Sequence, residues 1–209
     1  MAANAVHLNI AGAFHPGPDN GCPPGTGTLL LLAPQEPQFW PAFTGSAEYH
    51  DGAPDPMDRW SARVIGQLAQ DLGGTALFPF GGPPFHPFYS WALASGRAWA
   101  SPVRLLVHDS AGLFISYRGA LALPGRMQIP VPTAAMPCAT CMDKPCLSAC
   151  PIGALGADGY DVPACRAYIA DSGGRDCADG GCLVRRACPV SARHGRLPEQ
   201  SAFHMKAFR

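Results

Sequence analysis

Eight of the nine cysteines in this chain fall between Cys138 and Cys188, while the ninth, Cys22, stands apart between Gly21 and Pro23. So dense a run must either cross-link or bind something, because no ordinary core needs it. The first four read Cys138-x2-Cys141-x4-Cys146-x3-Cys150, with Pro151 directly after. Cys165, Cys177, Cys182 and Cys188 follow, and Pro189 succeeds the last of them. The stretch from Met1 to Phe14 shows neither the basic start and apolar core of a signal peptide nor an Arg-rich transit segment. A cytoplasmic location is therefore expected, where thiols stay reduced and such density reads as metal or cofactor ligation.

The spacing specifies which chemistry. Two-cluster ferredoxins of bacterial type use C-x2-C-x2-C-x3-C-P, in which three cysteines hold one cubane and the fourth ligates the other. Here only the middle gap differs. Two [4Fe–4S] clusters need eight thiolates, and the count closes. Crossed ligation then predicts one site from Cys138, Cys141, Cys146 and Cys188, and a second from Cys150, Cys165, Cys177 and Cys182. Four-cysteine zinc sites also begin with C-x2-C, but nothing in zinc chemistry asks for Cys-Pro twice. A three-iron cluster requires a missing ligand, and none is missing.

Around these thiols lie Lys144, Arg166, Arg175, Arg185 and Arg186. They either raise a cluster's potential and greet an acidic redox partner or are ordinary solvated charges. His194 and His204 are read as surface or packing residues, and Cys22 as a spare thiol.

Composition bounds the rest. Charged residues make up 14% of the 209, below the roughly 25% of typical soluble domains, and 24 Gly with 23 Pro favour short elements and many loops. Fifteen basic residues balance fifteen acidic ones, so no global field attracts nucleic acid or an anionic membrane. The longest apolar run, Leu29 to Ala33, is far short of the ~20 residues of a membrane helix.

The expected fold class is α+β. A mixed α/β-sheet domain over residues 1–124 is followed by a Pro-rich connector at 125–137 and a loop-rich, mainly helical two-cluster domain at 138–209. Thr28 to Pro34 reads as a buried strand. Asp55 is placed to cap a helix in which Met57, Trp60, Val64, Leu68 and Leu72 recur at helical spacing until Gly73-Gly74. Residues 103–108 and 113–121 read as a hairpin turning at Asp109 to Gly112. Phe78 to Trp91, with Gly-Gly-Pro-Pro at its centre, reads as an irregular aromatic segment. It either closes the core or offers a flavin or corrinoid surface, with Phe80, Gly81, Gly82 and Phe85 as the residues of that surface. Asp161 caps a helix carrying Cys165, Ala178 to Gly181 form a loop between Cys177 and Cys182, and the C-terminus frays.

Across Cys138–Pro189, including Cys165 followed by Arg-Ala-Tyr-Ile, the chain resembles the epoxyqueuosine reductases. The similarity continues more weakly through Val103–Leu123. Asp55 to Trp60 and Phe80 to Pro84 look like the N-terminal domain shared with vitamin B12 processing proteins, whose fold is related to flavin reductases. The resemblance implies two [4Fe–4S] clusters in a ferredoxin-like domain and a cobalamin or flavin in the N-terminal one. The chain is shorter than those enzymes and lacks their helical repeat domain. Arg97 to Pro102 stands where the family has Gly-Lys-Asn, and no segment matches the one bearing the catalytic acid. No catalytic residue is carried over.

Two functions follow as expectations. One is an electron-transfer protein serving a redox partner protein or a small-molecule acceptor. The other is a reductase whose N-terminal domain holds a corrinoid or flavin fed by the clusters; its motive is a domain larger than a ferredoxin requires. A regulatory protein that senses oxygen through cluster loss is a third.

Overall fold

An apolar run without alternation suits a strand covered on both faces. In the computed structural model, which describes residues 2–208, Thr28–Pro34 is such a strand, buried at all seven positions. Among the described residues there are eight strands: β1 (Leu8–Phe14), β2 (Thr28–Pro34), β3 (Thr75–Leu77), β4 (Ala98–Ala100), β5 (Leu106–His108), β6 (Gly119–Leu123), β7 (Leu155–Gly156) and β8 (Gly159–Tyr160). They form one antiparallel sheet in the order β1-β2-β6-β3 and two small antiparallel pairs, β4 with β5 and β7 with β8. The α+β class holds.

The chain divides into two compact units, Met1–Arg97 with Ser116–Thr133, and Ala98–Ile115 with Ala134–Arg209. The division is not the linear one of 1–124, 125–137 and 138–209. A segment preceding the cysteines by some distance in sequence packs with them.

The first unit is the four-stranded sheet with its helices. Pro56–Asp71 buries Met57, Trp60, Val64, Ile65 and Leu68 against β3 and β6, and each such side chain contributes about 1.5–3 kcal/mol when fully buried. Two details of that helix differ from expectation. Asp55 occupies the cap position in a left-handed conformation, φ 52° and ψ 48°, and its side chain makes no capping bond. Its carbonyl instead accepts from the Asp58 and Arg59 amides. Leu72 lies beyond the last helical residue and is exposed, since the stripe ends where the helix does.

The predicted hairpin does not form. His108 and Gly112 exchange both backbone bonds across the Asp109–Gly112 turn, giving a single bridge. Beyond it the chain parts: β5 pairs back onto β4, while β6 joins β2 and β3. Non-local partners won over the local turn. The aromatic segment is irregular only as far as Pro87, because Phe88–Ala94 is a helix whose Phe88, Trp91 and Ala92 are buried.

Within the first unit, Arg118 was not anticipated. Its buried guanidinium donates to Ser61 Oγ at 3.0 Å, pairs with Asp58 and lies 5.7 Å from the centre of the Phe80 ring. Burial pushes it down in pKa while the Asp58 carboxylate draws it back. No helix among the described residues is long and apolar enough to cross a membrane.

Candidate metal centre

The second unit has a small core, and cysteines are part of it. Val103, Val107, Leu113, Leu155 and Val184 form a buried cluster together with Cys146 and Cys188. Trp99, Leu105, Cys138, Cys150 and Cys182 pack on its edge. The β4–β5 pair, in the register Ala98 to His108, Trp99 to Val107 and Ala100 to Leu106, therefore supplies an apolar wall for the thiols.

Each thiol is set by local backbone chemistry. Cys138 sits in a single helical turn, Pro137–Thr140, that Cys141 ends in an extended conformation. Lys144 then takes a left-handed turn, and a 3-10 turn at Pro145–Leu147 presents Cys146. Backbone hydrogen bonding at Cys146 and Leu147 draws the thiol down against the effect of burial. Cys165 lies in Val162–Ala170, whose first amides are capped by Asp161 accepting from Ala164 at 2.9 Å. Cys177 lies in a short helix, Arg175–Gly180, where a loop was expected; Cys182 precedes the helix Leu183–Arg186.

Cys188 is held by a glycine contact. Gly112 has φ 57°, and a Cβ there would stand 2.5 Å from Ser191 N and 3.1 Å from Cys188 Sγ. The Leu113 amide donates to Ser191 Oγ at 2.8 Å, tying the same loop to the segment after Cys188.

The thiols also act on one another electrostatically. Burial pushes Cys138 up, and the charges of Cys146, Cys188 and Cys141 push it further, with Lys144 opposing. Cys146 is raised by burial, then by Cys188 and Cys141. Cys165 is raised by burial, lowered by a Tyr160 hydrogen bond, then raised by Cys182 and Cys150. Cys177 is raised by burial and, after an opposing Leu183 amide bond, by Cys182, Asp176 and Cys165. Cys138 and Cys146 thus feel the charges of Cys141 and Cys188, while Cys165 and Cys177 feel that of Cys182.

Two further side chains lie beside these thiols: Arg185, one of the cations noted in the sequence, and Tyr160, which was not. The Tyr160 hydroxyl donates to Cys165 Sγ at 3.5 Å, and its ring stacks on Phe208 with centroids 6.1 Å apart. Arg185, half-buried, donates to the Leu113 carbonyl at 2.6 Å; burial pushes its pKa down while Cys182 and Tyr160 draw it up. The remaining cations have other company. Arg166 lies 5.2 Å over the Phe208 ring, Arg186 pairs with Asp176 at 2.6 Å, and Lys144 and Arg175 are exposed. A tyrosine five residues before a cysteine, just ahead of a helix cap, carries no motif that would have revealed its role.

His194 is half-buried and held down at about 4 by burial, with Arg196 and His108 adding to the shift. His204 is half-buried in the terminal helix Pro198–Phe208, which replaces the expected fraying and buries Gln200 and Ser201. Cys22 is half-buried in the first unit, and burial raises its thiol.

The four residues suggested for a flavin or corrinoid surface lie in the segment between β3 and the helix Phe88–Ala94. Phe80 stacks on Phe78, with centroids 5.1 Å apart, and meets Arg118. Gly81 is exposed, and Phe85, 66% exposed, folds its ring onto the Gly82 backbone.

Among the described residues, no three Cys, His, Asp or Glu side chains converge tightly enough to hold one metal ion. No family model, curated protein or solved structure matches the chain.

Proposed function

We propose that this chain is an iron–sulfur electron-transfer protein binding two [4Fe–4S] clusters, one on Cys138, Cys141, Cys146 and Cys188 and one on Cys150, Cys165, Cys177 and Cys182. The observation that carries the reading is the cysteine pattern, C-x2-C-x4-C-x3-C-P followed by four further thiols and a second Cys-Pro, together with a core cluster that contains Cys146 and Cys188 and is bordered by Cys138, Cys150 and Cys182. Four thiolates are the donor set of a cubane. The sequence pattern favours that group over zinc, because four-cysteine zinc sites have no reason to end twice in Cys-Pro. The resemblance of Cys138–Pro189 to epoxyqueuosine reductases supports the same assignment.

When bound, each cubane supplies one-electron transfer, with no bond made or broken in the donor or the acceptor. The protein's part is to exclude water with Trp99, Val103, Val107 and Leu113, and to aim amides at sulfur. A redox protein or a small molecule provides and removes the electron.

Anaerobic purification with iron, sulfide and zinc analysis tests the reading. About eight irons per chain are expected, with Cys188→Ser disturbing the site of Cys138 and Cys150→Ser that of Cys165. Zinc in place of iron overturns it. The reductase alternative has exposed Phe85 in its favour, and optical titration with cobalamin and with flavin decides it.

A further inference from the structure

The helix Pro198–Phe208 is fixed differently at its two ends. Its beginning is sunk into the cysteine unit: Gln200 is fully buried and Ser201 nearly so. Ser201 presses so closely on Gly181 that a Cβ on the glycine would stand 2.6 Å from Ser201 Cβ, and the helix packs along Arg175–Gly180, which carries Cys177. Its last turn has a shallower seat. Lys206 and Ala207 are exposed, and Phe208 after them is half-buried.

The Phe208 ring meets two residues that flank Cys165. It stacks on Tyr160, with centroids 6.1 Å apart and planes within 9° of parallel, and the Arg166 guanidinium stands 5.2 Å from its centre. Tyr160 in turn donates its hydroxyl to Cys165 Sγ at 3.5 Å, and Arg166 directly follows Cys165 in the chain. One ring therefore ties the shallow end of the helix to both sides of a half-buried thiol. An aromatic pair and a cation over a ring each contribute little, so this end opens far more readily than the buried turns at Gln200 and Ser201.

We infer that Phe208 is a latch: the end of the helix closes over Cys165 when its ring is seated on Tyr160 and Arg166, and swings open from the anchor at Gln200 and Ser201 when it is not. Small molecules reach the Cys165 thiol, or the group it carries, when the latch is released. The latch is a matter of packing and stands apart from the two-cluster reading; where that reading holds, it governs the access of a small-molecule acceptor to the cluster on Cys165.

Peptide-resolved alkylation of the anaerobic full chain by iodoacetamide, with an iron chelator present and after iron and sulfide analysis of the same sample, tests the latch. Phe208→Ala should raise the initial alkylation rate of Cys165 about tenfold, from loss of the stack and the cation contact together, while Cys141 and Cys22 keep the parent's rates. Phe208→Leu, which keeps an apolar side chain without the ring, should raise it about threefold, and Phe208→Tyr should match the parent. Hydrogen exchange locates the motion: amides of residues 205–208 should exchange faster in Phe208→Ala, and the Ser201 amide, bonded to the Leu197 carbonyl, should not. An unchanged Cys165 rate in Phe208→Ala, a rise matched at Cys141 from the outset, or a Ser201 amide that loosens with the last turn would each overturn the latch. If Phe208→Ala does not fold, Phe208→Leu decides on the same readouts. Iron too low for two clusters is a separate failure, that of the cluster reading, and leaves the latch to be judged on the alkylation rates.

Discussion

At the residue scale, the side chains that surround the thiols were the least legible. Cysteine spacing announces itself because a cubane would need short gaps; Arg185 was visible only as a cation within the cysteine run, and the Tyr160 contact with Cys165 was not visible at all. His194 is a similar case. It reads as a packing residue, and its half-buried ring is held down at about 4 against an ordinary 6.5. The unfolded chain takes up that proton as pH falls through 6.5, and the folded chain takes it up only near 4. Between these values the unfolded state binds more protons, so stability is full above 6.5 and declines as pH falls toward 4. The share of this one group is about 1–3 kcal/mol after allowance for its partial exposure. Urea midpoints of the parent and of His194→Gln, compared at about pH 8 and about pH 5, should show a shallower decline in the variant. Parallel declines would mean that the ring is already protonated when folded.

At the scale of elements, the sequence was readable where one strong pattern met one local partner. The run from Thr28 to Pro34 and the periodic stripe from Met57 to Leu68 became a buried strand and a packed helix for the reasons that made them visible. β1 and β3 carry weaker patterns and are defined by their pairing to β2 and β6, which lies far away in sequence. The turn after His108 was recognised, but its strand was assigned to the wrong neighbour because alternation does not record who the partner is. Two glycines show how elements hold the thiols. A Cβ on Gly112 would meet Ser191 N and Cys188 Sγ, whereas one on Gly174 would fall 2.1 Å from the Tyr168 carbonyl oxygen, between the helices bearing Cys165 and Cys177. Backbone has no rotamer with which to yield, so each alanine should cost about 1–3 kcal/mol or more. Gly112→Ala should deplete the site containing Cys188, and Gly174→Ala the one containing Cys165. Iron content falling toward half in each variant, with opposite redox steps lost, is the expected pair of results; the same step lost in both would place the glycines at one site.

At the scale of the whole molecule, the two units differ in what makes them stable. The sheet unit has a core of large side chains, including Leu29, Leu31, Leu32, Phe39, Phe43, Ile65, Trp91 and Leu121, all essentially inaccessible to solvent. The cysteine unit gathers five aliphatic residues and two thiols in its buried cluster around Val107 and Val184, and its helices are short. So small a core offsets little chain entropy, and the proposed clusters would supply the remaining folding free energy. Ligation in the crossed arrangement also closes the long loop from Cys138 to Cys188, which removes freedom from the unfolded chain. Stripping the proposed clusters with an oxidant and a chelator should therefore unfold one unit and spare the other. Hydrogen exchange on the stripped protein is expected to show β2 amides still protected and Val162–Ala170 amides exchanging at least about a hundredfold faster than in the loaded protein, a change of roughly 2.7 kcal/mol or more in opening free energy. Unchanged protection of Val162–Ala170 would mean that the apolar wall of Trp99, Val103, Val107 and Leu113 suffices without metal, and that the thiols bind to a site already formed.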